Sequence, residues 1–234
     1  MSALVCLPGL GADDALFGPQ AEAFSNVVVP AWPDPAGVRT VEGLASALLT
    51  SLRAQGDWSA GMTVVAFSFG GQVALSMTRL AIEREAPLPK ALILVSSPRS
   101  REQITSAFRT QVALSRFIPS GLLAWAARTI VAPGFAKACA LDEEQTQELR
   151  AMAKRLDAPR FKQLARLAST WDFDEEGERS VLDAGVKIKH LHSIQDPVIP
   201  APPRETVGLE LLPEKAHLLT WTHADRINAL VRGA

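Results

Sequence analysis

Six short apolar runs punctuate this chain, and their spacing leaves few folds open. They are ALVCL (3–7), NVVVP (26–30), MTVVAF (62–67), KALILVSS (90–97), KIKHLHSI (187–194) and LELL (209–212). Most are near-continuous rather than alternating, as strands buried on both faces of a parallel sheet are. Between them stand segments with helical apolar spacing: TVEGLASALLTSLRAQ (40–55), GGQVALSMTRLAIERE (70–85) and HADRINALVRGA (223–234). Alternation of this kind predicts right-handed crossovers and a doubly wound α/β sheet.

One region breaks the alternation. From Pro98 to Glu176 there is no strand signal, but SREQITSAFRTQVALSRF, GLLAWAARTI, LDEEQTQELRAMAKRL and APRFKQLARLASTW carry apolar residues three or four apart. An all-helical insertion between two strands of one sheet predicts a cap or lid. The chain then divides into a core of residues 1–97 and 177–234 and a helical cap of residues 98–176. Pro98 and the acidic DFDEEGE (172–178) mark the cap's edges.

Composition narrows the classes. At 47% hydrophobic residues, 234 residues can bury a sizeable core. A net charge of −1 gives no electrostatic footprint for a phosphate backbone, so no nucleic-acid partner is expected. Two cysteines, Cys6 and Cys139, make neither a disulfide framework nor a zinc site. Met1-Ser2 leads into ALVCLPGLG without a basic region, and no stretch approaches the ~20 apolar residues of a membrane span. The expectation is a cytoplasmic protein with no membrane span.

Chemistry enters at VVAFSFGGQVALSM (64–77). A strand runs into Ser68 and a helix runs out of it, the context in which a serine can stand exposed on a sharp corner as a nucleophile. Such a corner needs small residues two before and two after the serine, here Ala66 and Gly70, with Gly71 behind. The helix N-terminus favours developing negative charge, and the Phe69 N–H is one candidate oxyanion donor. Taken alone, SFGG is equally a plain strand-to-helix turn.

A serine hydroxyl becomes nucleophilic when a histidine takes its proton and a carboxylate orients that histidine. At such a turn the chain order is serine, acid, histidine. Asp196, in HSIQDPVIPAPP (192–203), follows the fifth apolar run on a loop stiffened by Pro197 and Pro200, although Asp before Pro also begins ordinary turns. Of His190, His192, His217 and His223, the last suits a helix entry. His190 and His192 alternate on a strand with no third ligand nearby, so packing is expected of them rather than metal binding. His217 remains as the base. In LPGLGADDALF (7–17), Gly9 turns the backbone toward the serine and the Leu10 N–H is the second candidate oxyanion donor.

These segments together resemble an α/β-hydrolase-fold enzyme, over nearly the whole chain. LPGLGADDALF resembles the family's oxyanion loop, with Pro8 in place of its histidine, and AFSFGGQVAL resembles its nucleophile elbow, with Ala66 in place of a glycine. LHSIQDPVIP is similar to the acid loop, which would make His192 its non-catalytic histidine. KAHLLTWTHADRINALV resembles the family's ending and supports His217 over His223. There is no room before Ala3 for the family's first two antiparallel strands. The resemblance therefore implies a trimmed, mostly parallel sheet of about six strands, as in small esterase-like members.

It also implies covalent acyl transfer without cofactor or metal: Ser68 attacks, His217 accepts its proton, Asp196 holds the imidazole, and the Leu10 and Phe69 N–H groups stabilise the oxyanion. The expected substrate is a small-molecule acyl compound, an apolar carboxylic ester, with Phe67, Leu122 and Trp125 as candidate binding residues. Thioesterase, acyltransferase, C–C hydrolase or amidase chemistry could run on the same residues, and a non-catalytic binding protein is a further alternative.

Overall fold

The computed structural model describes residues 3–234. Each of the six apolar runs forms a strand: β1 Leu4–Leu7, β2 Val27–Val28, β3 Thr63–Phe67, β4 Ala91–Val95, β5 Lys187–Ser193 and β6 Leu209–Leu212. They form one sheet in the order β2-β1-β3-β4-β5-β6, and every pairing is parallel. β2 is the shortest, because Pro30, Pro33 and Pro35 follow it and cannot donate to a ladder.

Continuous burial in the central strands has a simple cause: successive side chains enter two different cores. Val5, Leu7, Val64, Ala66, Leu92 and Leu94 face helices α2 (Val41–Gln55) and α3 (Phe69–Glu83). Leu4, Cys6, Val65, Phe67, Ile93 and Val95 face the opposite layer, with Leu219, Ile227 and Val231 from the C-terminal helices. The α2 helix begins where the Thr40 hydroxyl accepts the Gly43 N–H at 3.1 Å, and it ends at Gly56, whose φ of 80° only glycine adopts cheaply. A short α1 (Gly18–Ala23) follows a 3₁₀ turn at Asp14–Phe17.

Between β4 and β5 the chain is helical: α4 Ser106–Ser115, α5 Ser120–Ala126, a π-helical segment Ala127–Val131, α6 Ala132–Ala138, α7 Glu143–Arg155, α8 Ala158–Ser169 and α9 Glu175–Asp183. These helices differ in how they pack. Leu164, Leu167 and Ala168 of α8, with Trp171 and Phe173 beyond it, join the core shared by α2 and α3. By contrast, α4, α5 and the π segment bury no residue.

The acidic DFDEEGE stretch starts α9. Asp174 accepts the Gly177 N–H at 3.0 Å, and Glu175, Glu176 and Glu178 sit against the positive end of the helix. After β6 come α10 (Leu219–Thr222) and α11 (Ala224–Arg232). Among the described residues no helix is long and apolar enough to cross a membrane.

Candidate active site

Ser68 lies between the last residue of β3 and the first of α3, with φ 52° and ψ −118°, a conformation rare for a residue with a side chain. Backbone bonds on both sides fix it: the Ser68 N–H donates to the Val95 carbonyl, and the Gly71 N–H donates to the Ser68 carbonyl, both at 2.9 Å.

The corner is closely walled. A Cβ at Gly70 would lie 2.2 Å from the Leu7 carbonyl oxygen, and one at Gly71 would lie 2.5 Å from Cβ and Oγ of Ser97. Sequence spacing marks the first of these positions; the Ser97 contact comes from the end of β4 and has no local signal. Ala66 is fully buried in β3, opposite Leu7 and Leu94, with its carbonyl accepting the Ser97 hydroxyl at 3.1 Å. Gly9 must also be small, because its Cβ would press on the Phe67 ring at 2.9 Å.

Phe69 opens α3, so its N–H is one of the helix's orphan donors. The Leu10 N–H makes no hydrogen bond among the described residues. Leu10, Ser68 and Phe69 line one narrow cavity of about 60 Å³.

The Asp196 and His217 side chains meet: Oδ2 of Asp196 is 2.7 Å from Nδ1 of His217. The other carboxylate oxygen, Oδ1, accepts the Val198 and Ile199 N–H groups at 2.8 and 3.0 Å. Both loops are braced by residues that sequence patterns do not single out. The Ser193 hydroxyl donates to the Glu214 carbonyl, and Gln195 Nε2 donates to the Pro213 carbonyl at 2.9 Å. These contacts fasten the end of β5 to the segment carrying His217.

The imidazole also packs against Phe67, with ring centroids 4.9 Å apart, and against Phe135 of α6 at 5.8 Å. Phe67 is therefore beneath the histidine and buried rather than free to hold substrate. Among the described residues no hydrogen bond joins Ser68 Oγ to His217. The link between them is Phe67, adjacent to Ser68 in the chain and packed at a tilt against His217.

His190 and His192 have a structural task, and their protonation states follow from geometry. His192 Nε2 faces the Ile199 carbonyl at 3.1 Å, so it carries a hydrogen. The neutral ring then presents a bare Nδ1, which accepts from His190 Nε2–H at 3.2 Å. That leaves Nδ1 of His190 buried without a partner among the described residues, and a proton there would be an unsatisfied donor. Burial first, then the proximity of His192 and Arg99, holds His190 well below the usual histidine range. Burial also lowers His192, against the pull of Asp196. His223, at the entry to α11, bonds Thr222 at 3.0 Å instead of Asp196.

The Ser68 cavity is lined by Ile104, Phe108, Val198 and Ile199, with Gln72 at its side. Gln72 is almost fully buried; its Nε2 donates to the Ala168 carbonyl at 3.4 Å, and its Oε1 has no partner among the described residues. It stands one turn into the helix that Ser68 begins, a place where sequence alone reads only an interior helical residue. Leu122 and Trp125 are not brought here: both are about half exposed, on α5. A larger cleft of about 380 Å³, between the loop after β1 and helices α7 and α8, contains neither Ser68 nor His217. Burial raises the Cys6 and Cys139 thiols, and neither is poised to react. Among the described residues no group of three histidine, cysteine or acidic side chains could hold a metal.

Comparison with known proteins agrees with this architecture. No curated protein matches the chain. An esterase from Thermogutta terrifontis shares the fold with a TM-score of 0.75, at 16% identity over 100% of this chain and 89% of that one. An esterase from Exiguobacterium antarcticum gives 0.70, at 16% identity over 100% and 91%. RedJ, a thioesterase from the prodiginine biosynthetic pathway in Streptomyces coelicolor, gives 0.65, at 18% identity over 98% and 89%. At such identities these likenesses speak for the fold alone. The family described as "Alpha/beta hydrolase family" matches residues 4–230. A parallel six-stranded sheet, a serine on its central strand-to-helix corner and that match across nearly the whole chain agree, and the chain belongs to the alpha/beta hydrolase family.

Proposed function

We propose that this hydrolase cleaves a carboxylic ester through an acyl-enzyme on Ser68. His217 takes the Ser68 proton as Oγ attacks the acyl carbonyl, then returns it to the leaving alcohol. Asp196 holds the imidazole with Nδ1–H toward its carboxylate, leaving Nε2 as the base. The Leu10 and Phe69 N–H groups receive the oxyanion; losing one such donor costs about 3–4 kcal/mol of transition-state stabilisation in related chemistry. Water, activated by the same histidine, then releases the acid. No step needs a metal or cofactor.

The observation that carries this reading is the 2.7 Å contact between Asp196 and His217, together with Ser68 held at φ 52° at the end of β3 in the same sheet. The absence of a Ser68–His217 hydrogen bond among the described residues accords with catalytic hydrogen bonds that tighten only when substrate binds. Ile104 and Phe108, from the 98–176 segment, line the Ser68 cavity, which supports reading that segment as a cap. The mostly apolar lining supports an apolar acyl group.

The test is labelling by a fluorophosphonate probe, read as a mass increase on Ser68 and lost in Ser68→Ala. Hydrolysis of matched oxoester and thioester substrates then separates the ester reading from a thioesterase, whose fold likeness is on record above. Absence of labelling in folded protein rejects the proposal.

A further inference from the structure

The helical segment between β4 and β5 carries a surface that the proposed chemistry does not use. Leu114, Phe117, Leu122, Trp125, Ile130 and Val131 are each at least half exposed, with Phe117 at 70%. They are six of the nine large apolar side chains that stand exposed among the described residues; five fall within α4, α5 and the π segment, and Phe117 lies in the turn between α4 and α5. A concentration of this kind marks an interaction surface rather than scattered exposure.

Charge says what kind of surface it meets. From Ile104 to Ala140 the chain has four basic residues, Arg109, Arg116, Arg128 and Lys137, and no acidic one. The rest of the chain therefore carries twenty basic against twenty-five acidic residues. Among the described residues none of the four pairs with a carboxylate; all salt bridges lie elsewhere. Arg116 instead lies over the Phe117 ring, 4.5 Å from its centroid, so a cation and the most exposed apolar side chain project together. Lys162 of α8 donates to the Ile118 carbonyl and holds this turn on the body of the protein.

We propose that this face docks on an anionic lipid surface, the basic side chains meeting headgroups while Phe117, Trp125 and their neighbours enter the acyl boundary. Exposed apolar residues set among unpaired cations, with aromatic rings at the junction, are what such a surface binds. A second copy of the chain does not fit: a two-fold contact would set the same four cations against themselves, with no acid to compensate. The inference goes beyond the proposed esterase activity and does not depend on it.

Flotation of the full-length protein with vesicles tests it. The expected result is co-flotation with phosphatidylcholine vesicles containing phosphatidylglycerol, little with phosphatidylcholine alone, and release by high salt. Arg109→Gln and Arg116→Gln should each lower partitioning about fivefold, and Phe117→Ser with Ile130→Ser should lower it further. Melting curves and far-UV circular dichroism verify that the variants are folded. The proposal is overturned if folded wild-type protein does not float with anionic vesicles at low salt, or floats equally with both compositions. It is also overturned if light scattering finds a dimer that Phe117→Ser dissolves.

Discussion

Asp196 divides its carboxylate between two duties: Oδ2 lies 2.7 Å from His217 Nδ1, and Oδ1 takes the N–H groups of Val198 and Ile199. The loop therefore keeps its shape through one oxygen while the other orients the imidazole. Asp196→Asn retains an acceptor for the loop but puts an amide against Nδ1, favouring the wrong tautomer. Activity on an activated ester should fall about 10⁴-fold in kcat with KM little changed, and with an unaltered melting temperature. A drop confined to KM would mean that Asp196 shapes the binding cavity instead.

Gly70 cannot accept a side chain. A Cβ there would lie 2.2 Å from the backbone of Leu7, which cannot withdraw without shifting β1. Gly70→Ala should destabilise by about 3 kcal/mol or more, through overpacking against backbone. Ala66→Gly, removing a buried methyl from a strand, should cost only about 1 kcal/mol and keep labelling at Ser68. Chemical denaturation of the two variants measures the contrast.

The histidine pair on β5 makes stability acid-sensitive. Burial keeps His190 and His192 neutral in the native state, whereas both titrate near 6.5 in the unfolded chain. Below about pH 6.5 the unfolded chain binds protons that the native protein refuses, so stability present above that pH is lost on acidification. The loss is at most about 1.4 kcal/mol per pH unit for each site. His190→Gln, which can still donate to His192, should flatten the dependence of melting temperature on pH between about 7.5 and about 5. An unchanged slope would assign the acid sensitivity to other groups.

Gln72, whose Oε1 has no hydrogen-bond partner among the described residues, lines the mostly apolar Ser68 cavity. Gln72→Leu should alter stability by less than about 1 kcal/mol, since it removes an unsatisfied group along with one long hydrogen bond. Its kcat/KM should shift from hydroxyalkanoyl toward plain alkanoyl esters of the same length. Equal effects on both ester series would show that the amide plays no part in acyl selection.

Strands and the serine corner were legible because each is encoded locally: continuous apolar runs, and small residues around Ser68. Asp196 and His217 were legible through their loop and their order in the chain. What brings them together was not. Ser193 and Gln195 reach across to Glu214 and Pro213, and Ser97 fills the space that Gly71 leaves, all through contacts between segments far apart in sequence. Leu122 and Trp125 show the opposite limit. Helical periodicity marks an apolar side but does not say whether that side meets a cavity, a core or the outside, and here it stands exposed. The start of α9 was written in DFDEEGE as a capping aspartate followed by first-turn glutamates, a signal easily taken for a solvated linker.

The backbone angles at Ser68 carry a consequence for any attempt to improve this protein by selection. A φ of 52° with ψ −118° costs a serine about 1–3 kcal/mol that glycine would not incur. Ser68→Gly should thus melt later than the wild type while losing its hydroxyl. A library screened for heat resistance alone would enrich proteins without the hydroxyl that the proposed acyl transfer requires, so thermal and catalytic screening have to be run together.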